Sequence, residues 1–147
     1  MKKMFMKKLF LLTFICSFFF GCESERFNNF NPYIPNVRFD TTIDTNLPQY
    51  SELLFTGRSV FITTNNAGLN GVILFYTGTG FNAFEATCPN QPISSCSIMT
   101  INNAEIATCP CDDEDYLLFT GEGLNGQEYP LKRYRTEVNG TLVRIYN

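Results

Sequence analysis

The chain has 147 residues, 44% of them hydrophobic and 15% aromatic, which is enough for the core of one ordinary domain and far from a disordered composition. Its 14 acidic residues outnumber 11 basic ones, a balance that argues against nucleic acid as a partner, since a polyanion is held by clustered lysine and arginine. Histidine is absent, so no serine hydrolase triad of the usual kind can be assembled, and no catalytic residue is expected.

The opening stretch MKKMFMKKLFLLTFICSFFFGC carries Lys2, Lys3, Lys7 and Lys8, then the apolar run Leu9 to Phe20, then Gly21 directly before Cys22. This is the layout of a signal peptide over residues 1–21. The apolar run is well short of the roughly 20 residues that a bilayer-spanning helix needs. Phe19-Phe20-Gly21-Cys22 resembles a bacterial lipobox, in which the cysteine is acylated and becomes the first residue of the mature protein. Phe19 and Phe20 stand where that pattern has leucine and a small residue. The resemblance implies a lipoprotein of the cell envelope, held by lipid on Cys22 to the periplasmic face or the outer membrane surface. Two or three acyl chains bury far more methylenes than the single chain whose hold is only marginal. An ordinary secretory signal cleaved near the same place is the alternative. Losing the leader removes four lysines and no acid, which takes the net charge from −3 to −7 and makes anionic headgroups poor partners.

Residues 22–36 continue as ESERFNNFNPYIPN after the cysteine, rich in asparagine and proline without an apolar period, which predicts a tether. Residues 37–147 then read as one β domain. β-Branched and aromatic residues alternate from Val37 to Ile43, and strands are predicted again over Ser59 to Thr64, Val72 to Tyr76, Phe81 to Thr87 and Ala104 to Thr108. Helical turns fit only LPQYSELLF, residues 47–55. Tyr134 to Tyr146 predicts a hairpin turning at Asn139-Gly140, a dipeptide suited to a type I′ turn. LLFTG recurs at 53 and 117 and GLNG at 68 and 123, but the two offsets differ, so the strings are reused strand and turn vocabulary and not a duplication.

Several motifs fail on context. Gly78 to Ala83 fits GxGxxA and Gly121 to Gly126 fits GxGxxG, yet neither precedes the helix whose amides would face a dinucleotide pyrophosphate, so both are expected to be loops. Asp112-Asp113-Glu114-Asp115 lacks the glycine and glutamate of a calcium-binding EF-hand loop and is expected to be a solvated acidic loop. Lys132, Arg133 and Arg135 fall on a predicted strand whose alternation divides them between two faces.

Four cysteines remain once Cys16 leaves with the leader and Cys22 takes lipid: Cys88, Cys96, Cys109 and Cys111. Four cysteines permit three pairings, and an oxidising compartment favours disulfides among them. Structural zinc is weakly indicated, because its knuckles prefer Cys-x-x-Cys and this chain offers Cys-Pro-Cys.

From Gly71 onward the order of features resembles Rieske iron-sulfur domains. GVILFYTGTGFNAFEATCPNQP is similar to the strand, turn and strand that lead into their first ligand segment. IATCPCDDEDYLLFTGEGLNGQEYPLKRYRTEVNGTLVRIYN is similar to the second segment, its glycine-rich loop and the closing hairpin. The resemblance implies an all-β fold, an antiparallel β-sandwich with two cysteine-bearing loops at one tip. It places Cys88 and Cys109 on the two cysteine ligands, and Cys96 and Cys111 on an accessory disulfide. Asn90 and Asp112 fall where the family has its histidines, which makes this a degenerate member.

A Rieske centre holds one iron with two thiolates and the other with two imidazoles. A carboxamide is a feeble iron ligand and a carboxylate suits magnesium or calcium better. No cluster and no metal are therefore expected, and the family geometry implies that Cys88 bonds Cys109 and Cys96 bonds Cys111. The expected function is that of a disulfide-stapled structural or interaction module at the envelope, partnered by the membrane and by an envelope protein, and not an enzyme. The alternative is electron transfer through a [2Fe–2S] cluster at Cys88 and Cys109, with all four cysteines as ligands. A thiol-disulfide exchanger built on Cys109-Pro-Cys111 is disfavoured, because no thioredoxin-like βαβ context surrounds it.

Overall fold

The computed structural model describes residues 29–147. The predicted signal peptide, the lipidation site Cys22 and the first part of the predicted tether lie outside the described residues.

Nine strands carry the described chain: β1 (Asp40–Asp44), β2 (Arg58–Ile62), β3 (Val72–Tyr76), β4 (Phe81–Glu85), β5 (Thr100–Asn103), β6 (Ile106–Cys109), β7 (Glu114–Leu117), β8 (Arg133–Asn139) and β9 (Leu142–Tyr146). All pair antiparallel, in a six-stranded sheet of order β1-β9-β8-β4-β3-β2 and a three-stranded sheet of order β5-β6-β7. The protein is thus all-β and antiparallel, as its alternating β-branched and aromatic residues require. Among the described residues no helix is long and apolar enough to cross a membrane.

β3 shows why the two sheets stack. Its Val-Ile-Leu-Phe run is fully buried, so both of its faces meet protein. Side chains alternate across a strand. Val72 and Leu74 accordingly join one core with Ile43, Ile62, Ala83, Tyr134, Val143 and Ile145. Residues from all six strands of the larger sheet line this core. Ile73 and Phe75 point the other way, into a second core with Phe84, Met99, Tyr116 and Leu118, where the small sheet packs and where Cys88 and Cys109 lie.

The helical turn expected within 47–55 is a 3₁₀ helix, Pro48–Leu54. Proline begins it with a preset φ, and Tyr50 and Leu53 stack at the three-residue spacing that puts them on one buried face. LLFTG at 53 closes this helix while the same string at 117 leaves β7, so identical letters serve different backbones according to their surroundings.

Five expectations need correction, the first that helical turns fit only residues 47–55, since a second short 3₁₀ turn forms at Thr64–Asn66. The hairpin loop lies one residue later than predicted: Asn139 pairs with Leu142, and Gly140 at φ 61° takes the first central position, where a type II′ turn calls for glycine. The acidic run is only half loop, because Asp112 and Asp113 make the turn while Glu114 and Asp115 enter β7. There Glu114 accepts hydrogen bonds from the Asn125 and Gln127 amides, and Asp115 accepts one from the Thr108 hydroxyl. Lys132 precedes β8 and is buried, with Nζ donating to the Ile34 carbonyl at 3.2 Å and to Asn36 Oδ1 at 2.6 Å. Residues 29–36, assigned by sequence to the tether, are docked on the domain: Asn29 exchanges two hydrogen bonds with the Arg133 backbone, Asn31 Nδ2 donates to the Pro89 carbonyl at 2.8 Å, and Ile34 is buried.

One polar hub sits at the top of β4. Glu85 is fully buried and accepts hydrogen bonds from the Leu69 and Asn70 amides, the Thr87 hydroxyl and, at 2.6 Å, the Tyr134 hydroxyl. A Cβ at Gly68, whose φ is 67°, would approach Glu85 Oε2 to 2.7 Å, so glycine is what lets this loop close over the carboxylate.

Candidate functional site

The cysteines occupy two neighbouring segments. The first is the connection from β4 to β5, residues 86–99. Its two arms run antiparallel, joined by the Thr87–Ile98 bridge, by the Cys88 amide donating to the Ser97 carbonyl at 2.8 Å and by the Met99 amide donating to the Ala86 carbonyl at 2.8 Å. Cys88 is thereby held at the root of the loop, and Cys96 stands on the returning arm directly before Ser97. Cys109 ends β6 and Cys111 stands in the turn to β7. That turn is closed by the Asp113 amide, which donates to the Cys109 carbonyl at 2.9 Å, with Asp113 at a positive φ of 58°.

Cys88 is bonded to Cys109 across a Cα separation of 5.6 Å, and Cys96 to Cys111 across 5.1 Å. These are the pairs implied by the sequence resemblance. The two bonds differ in access: Cys88 and Cys109 are 1% and 0% exposed, whereas Cys96 is open to solvent and Cys111 is half-buried. The Sγ atoms of Cys88, Cys109 and Cys111 lie within 4.8 Å of one another. Among the described residues three polar side chains face the sulfurs. Gln91 Nε2 donates to Cys109 Sγ at 3.0 Å. Ser94 Oγ is 3.2 Å from Cys96 Sγ and 3.5 Å from Cys111 Sγ, and Ser97 Oγ is 3.8 Å from Cys111 Sγ.

Asn90 and Asp112, the positions matched to the family's histidines, behave differently from each other. The Asn90 carboxamide is fully engaged: Nδ2 donates to Tyr116 Oη at 2.9 Å and to the Tyr129 carbonyl at 2.7 Å, while Oδ1 accepts from the Tyr129 amide at 2.9 Å. Burial pushes the Tyr116 phenol above its ordinary pKa, and the hydrogen bond from Asn90 opposes that rise. Asp112 is exposed, and among the described residues its Oδ1 accepts only the Glu114 amide at 3.3 Å, a local turn contact.

This donor set does not fit a Rieske cluster. Both candidate thiolates are consumed in one disulfide. At the positions that the resemblance matches to imidazoles stand a carboxamide whose nitrogen and oxygen are both hydrogen-bonded and an exposed carboxylate. Neutral nitrogen ligands define the outer iron of such a centre. Among the described residues no other group of three cysteine or acidic side chains converges as these sulfurs do.

Sequence reasoning found all four cysteines but missed Gln91, Ser94, Ser97, Tyr116 and Tyr129. Ser94-Ser95-Cys96-Ser97 offers a faint local signal, a cysteine set among small hydroxyls. The tyrosines offer none, because they reach Asn90 from 26 and 39 residues away.

No family model and no curated protein matches the chain. Among solved structures it is similar to a putative NADH-dependent nitrite reductase small subunit from Mycobacterium tuberculosis, with 18% identity, TM-score 0.46, and 76% of this chain covering 97% of that one. It is similar to the ferredoxin of carbazole 1,9a-dioxygenase from Nocardioides aromaticivorans IC177, with 16% identity, TM-score 0.45, and 71% of this chain covering 96% of that one. It is also similar to the E. coli protein NirD, with 13% identity, TM-score 0.42, and 73% of this chain covering 98% of that one. At TM-scores of 0.42 to 0.46 these overlaps carry no argument about what this chain binds or does, and its all-β class rests on its own strands.

Proposed function

We propose that the protein is a lipid-anchored module of the cell envelope built on a Rieske-like scaffold, in which disulfides have replaced the iron-sulfur cluster. Its role is structural or one of binding an envelope protein, and it is not an enzyme. One observation carries this reading: the two cysteines at the ligand positions are bonded to each other at the base of the tip, and the Asn90 amide is wholly occupied in bracing it. The order of sequence features from Gly71 to the end supports the Rieske-like assignment, and Gly21-Cys22 supports the anchor.

The test is metal and thiol content of protein taken aerobically from its native membrane fraction. Colourless, iron-free protein with no alkylatable thiol among Cys88, Cys96, Cys109 and Cys111 is expected, and extraction should need detergent unless Cys22 is changed to serine. Stoichiometric iron with visible absorbance would overturn the clusterless reading in favour of electron transfer.

A further inference from the structure

A disulfide exchanges when a thiolate reaches one of its sulfurs, and the rate depends on access and on how well the departing sulfur carries negative charge. Access separates the two bonds at this tip. A dithiol in solution can touch Cys96 and Cys111, yet Cys88 and Cys109 are closed to it at 1% and 0% exposure. Cys111 Sγ nevertheless lies within 4.8 Å of both inner sulfurs, which makes it the one outer atom placed to act on them.

We propose that the Cys96–Cys111 bond is a thiol-exchange site for a dithiol reductant, and that Cys111, once freed, carries the exchange inward to the Cys88–Cys109 bond. In the first step a thiolate of the dithiol attacks Cys96 Sγ, a mixed disulfide forms, and Cys111 departs as a thiolate. The reductant's second thiol then resolves the mixed disulfide. The reductant leaves as a cyclic disulfide, having given two electrons and two protons, and Cys96 is left as a thiol. In the second step the Cys111 thiolate attacks Cys88 Sγ. The Cys88–Cys109 bond breaks as Cys88–Cys111 forms, and Cys109 departs as a thiolate and takes a proton. This step is redox-neutral, and it moves the remaining disulfide to a half-buried sulfur that a second dithiol reaches.

Hydrogen-bond donors stand where the charge develops. Ser94 Oγ is within 3.5 Å of both outer sulfurs, so its hydroxyl can turn to whichever departs. Gln91 Nε2 already donates to Cys109 Sγ at 3.0 Å, and among the described residues no such donor faces Cys88 Sγ. Cys109 is therefore the inner sulfur better able to leave as an anion, and Cys88 the one attacked.

The inference rests on the clusterless reading, and the two fail separately: iron in the purified protein ends that reading before any reductant is added. The relay is tested by peptide mapping of the folded Cys96→Ser variant, in which Cys111 is permanently free. A Cys88–Cys111 disulfide beside the Cys88–Cys109 one, with Cys109 alkylatable, is expected. Quantitative alkylation of Cys111 with Cys88–Cys109 intact would overturn the relay. In the Cys111→Ser variant, Cys88–Cys109 alone is expected. Gln91→Leu keeps all four cysteines and so the same scaffold. With dithiothreitol as the probe, its inner bond should open several-fold more slowly while the outer bond opens at the wild-type rate. An unchanged inner rate would overturn the assignment of Cys109 as the departing sulfur.

Discussion

The carboxamide of Asn90 uses both donors and its acceptor on Tyr116 and Tyr129, which ties the first cysteine loop to the segment leading into β8. A position that had merely lost a ligand would tolerate any side chain of similar size. Asn90→Leu is instead expected to cost about 2–3 kcal/mol, because it takes their Asn90 partner from the half-buried Tyr129 backbone and the buried Tyr116 phenol. Urea unfolding measures this, and an unchanged midpoint would show that the Asn90 hydrogen bonds do not brace the loop. Glu85 makes a parallel case. Burial, and after it the nearby Glu85 carboxylate, push the Tyr134 phenol far above its ordinary pKa, so it stays protonated and keeps donating. Tyr134→Phe keeps the ring and deletes that donor, with an expected loss of about 1–3 kcal/mol. Neither hub was legible in sequence. Alternation says that Glu85 faces one side of β4, but its partners at Leu69 and Asn70 are set by how the loop before β3 folds back.

At the scale of elements, Arg144 on β9 clamps three strands. Its guanidinium meets Asp40 of β1 at 2.6 Å and Glu137 of β8 at 2.9 Å. The hydrogen bond from Arg144 lowers the Asp40 carboxyl, while the Tyr146 hydroxyl and then Arg144 lower that of Glu137. A carboxylate depressed in the folded state contributes stability above its unfolded pKa and loses it as pH falls through the lower folded value. Arg144→Met should therefore lower Tm near neutrality, by a small amount because the pairs are solvent-exposed. As pH falls below about 4 that advantage should be lost, the wild-type Tm falling more steeply until the two curves converge. Thermal melts across pH check this, and parallel curves would refute it. The hairpin itself was legible, because glycine beside asparagine between alternating segments signals a tight turn. Which residue took the positive φ was not, since the register of Asn139 against Leu142 follows from β9 pairing with β1 on its other side.

At the scale of the whole molecule, the docked segment 29–36 and the two disulfides close the domain. Burial lowers the pKa of Lys132, whose Nζ holds this segment through the Ile34 carbonyl and Asn36. Lys132→Met is expected to speed amide exchange and proteolysis within 29–36 while the β-sheet amides keep their protection. The Cys96–Cys111 bond spans 15 residues, and its removal by the double serine variant should cost roughly 2–4 kcal/mol, read from the denaturation midpoint. The sequence by itself determined the all-β class, because alternation and β-branched content act residue by residue on φ, ψ and burial. It also named the four sulfurs, since no other side chain does their chemistry. Spacing alone left three pairings open, and it assigned the docked segment to a tether. The family resemblance implied which sulfurs meet, and only the tertiary structure decided which of them solvent reaches and that Asn90 braces the tip. Those facts depend on how the small sheet stacks on β3 and β4, a matter of contacts between residues far apart in the chain that no local pattern records.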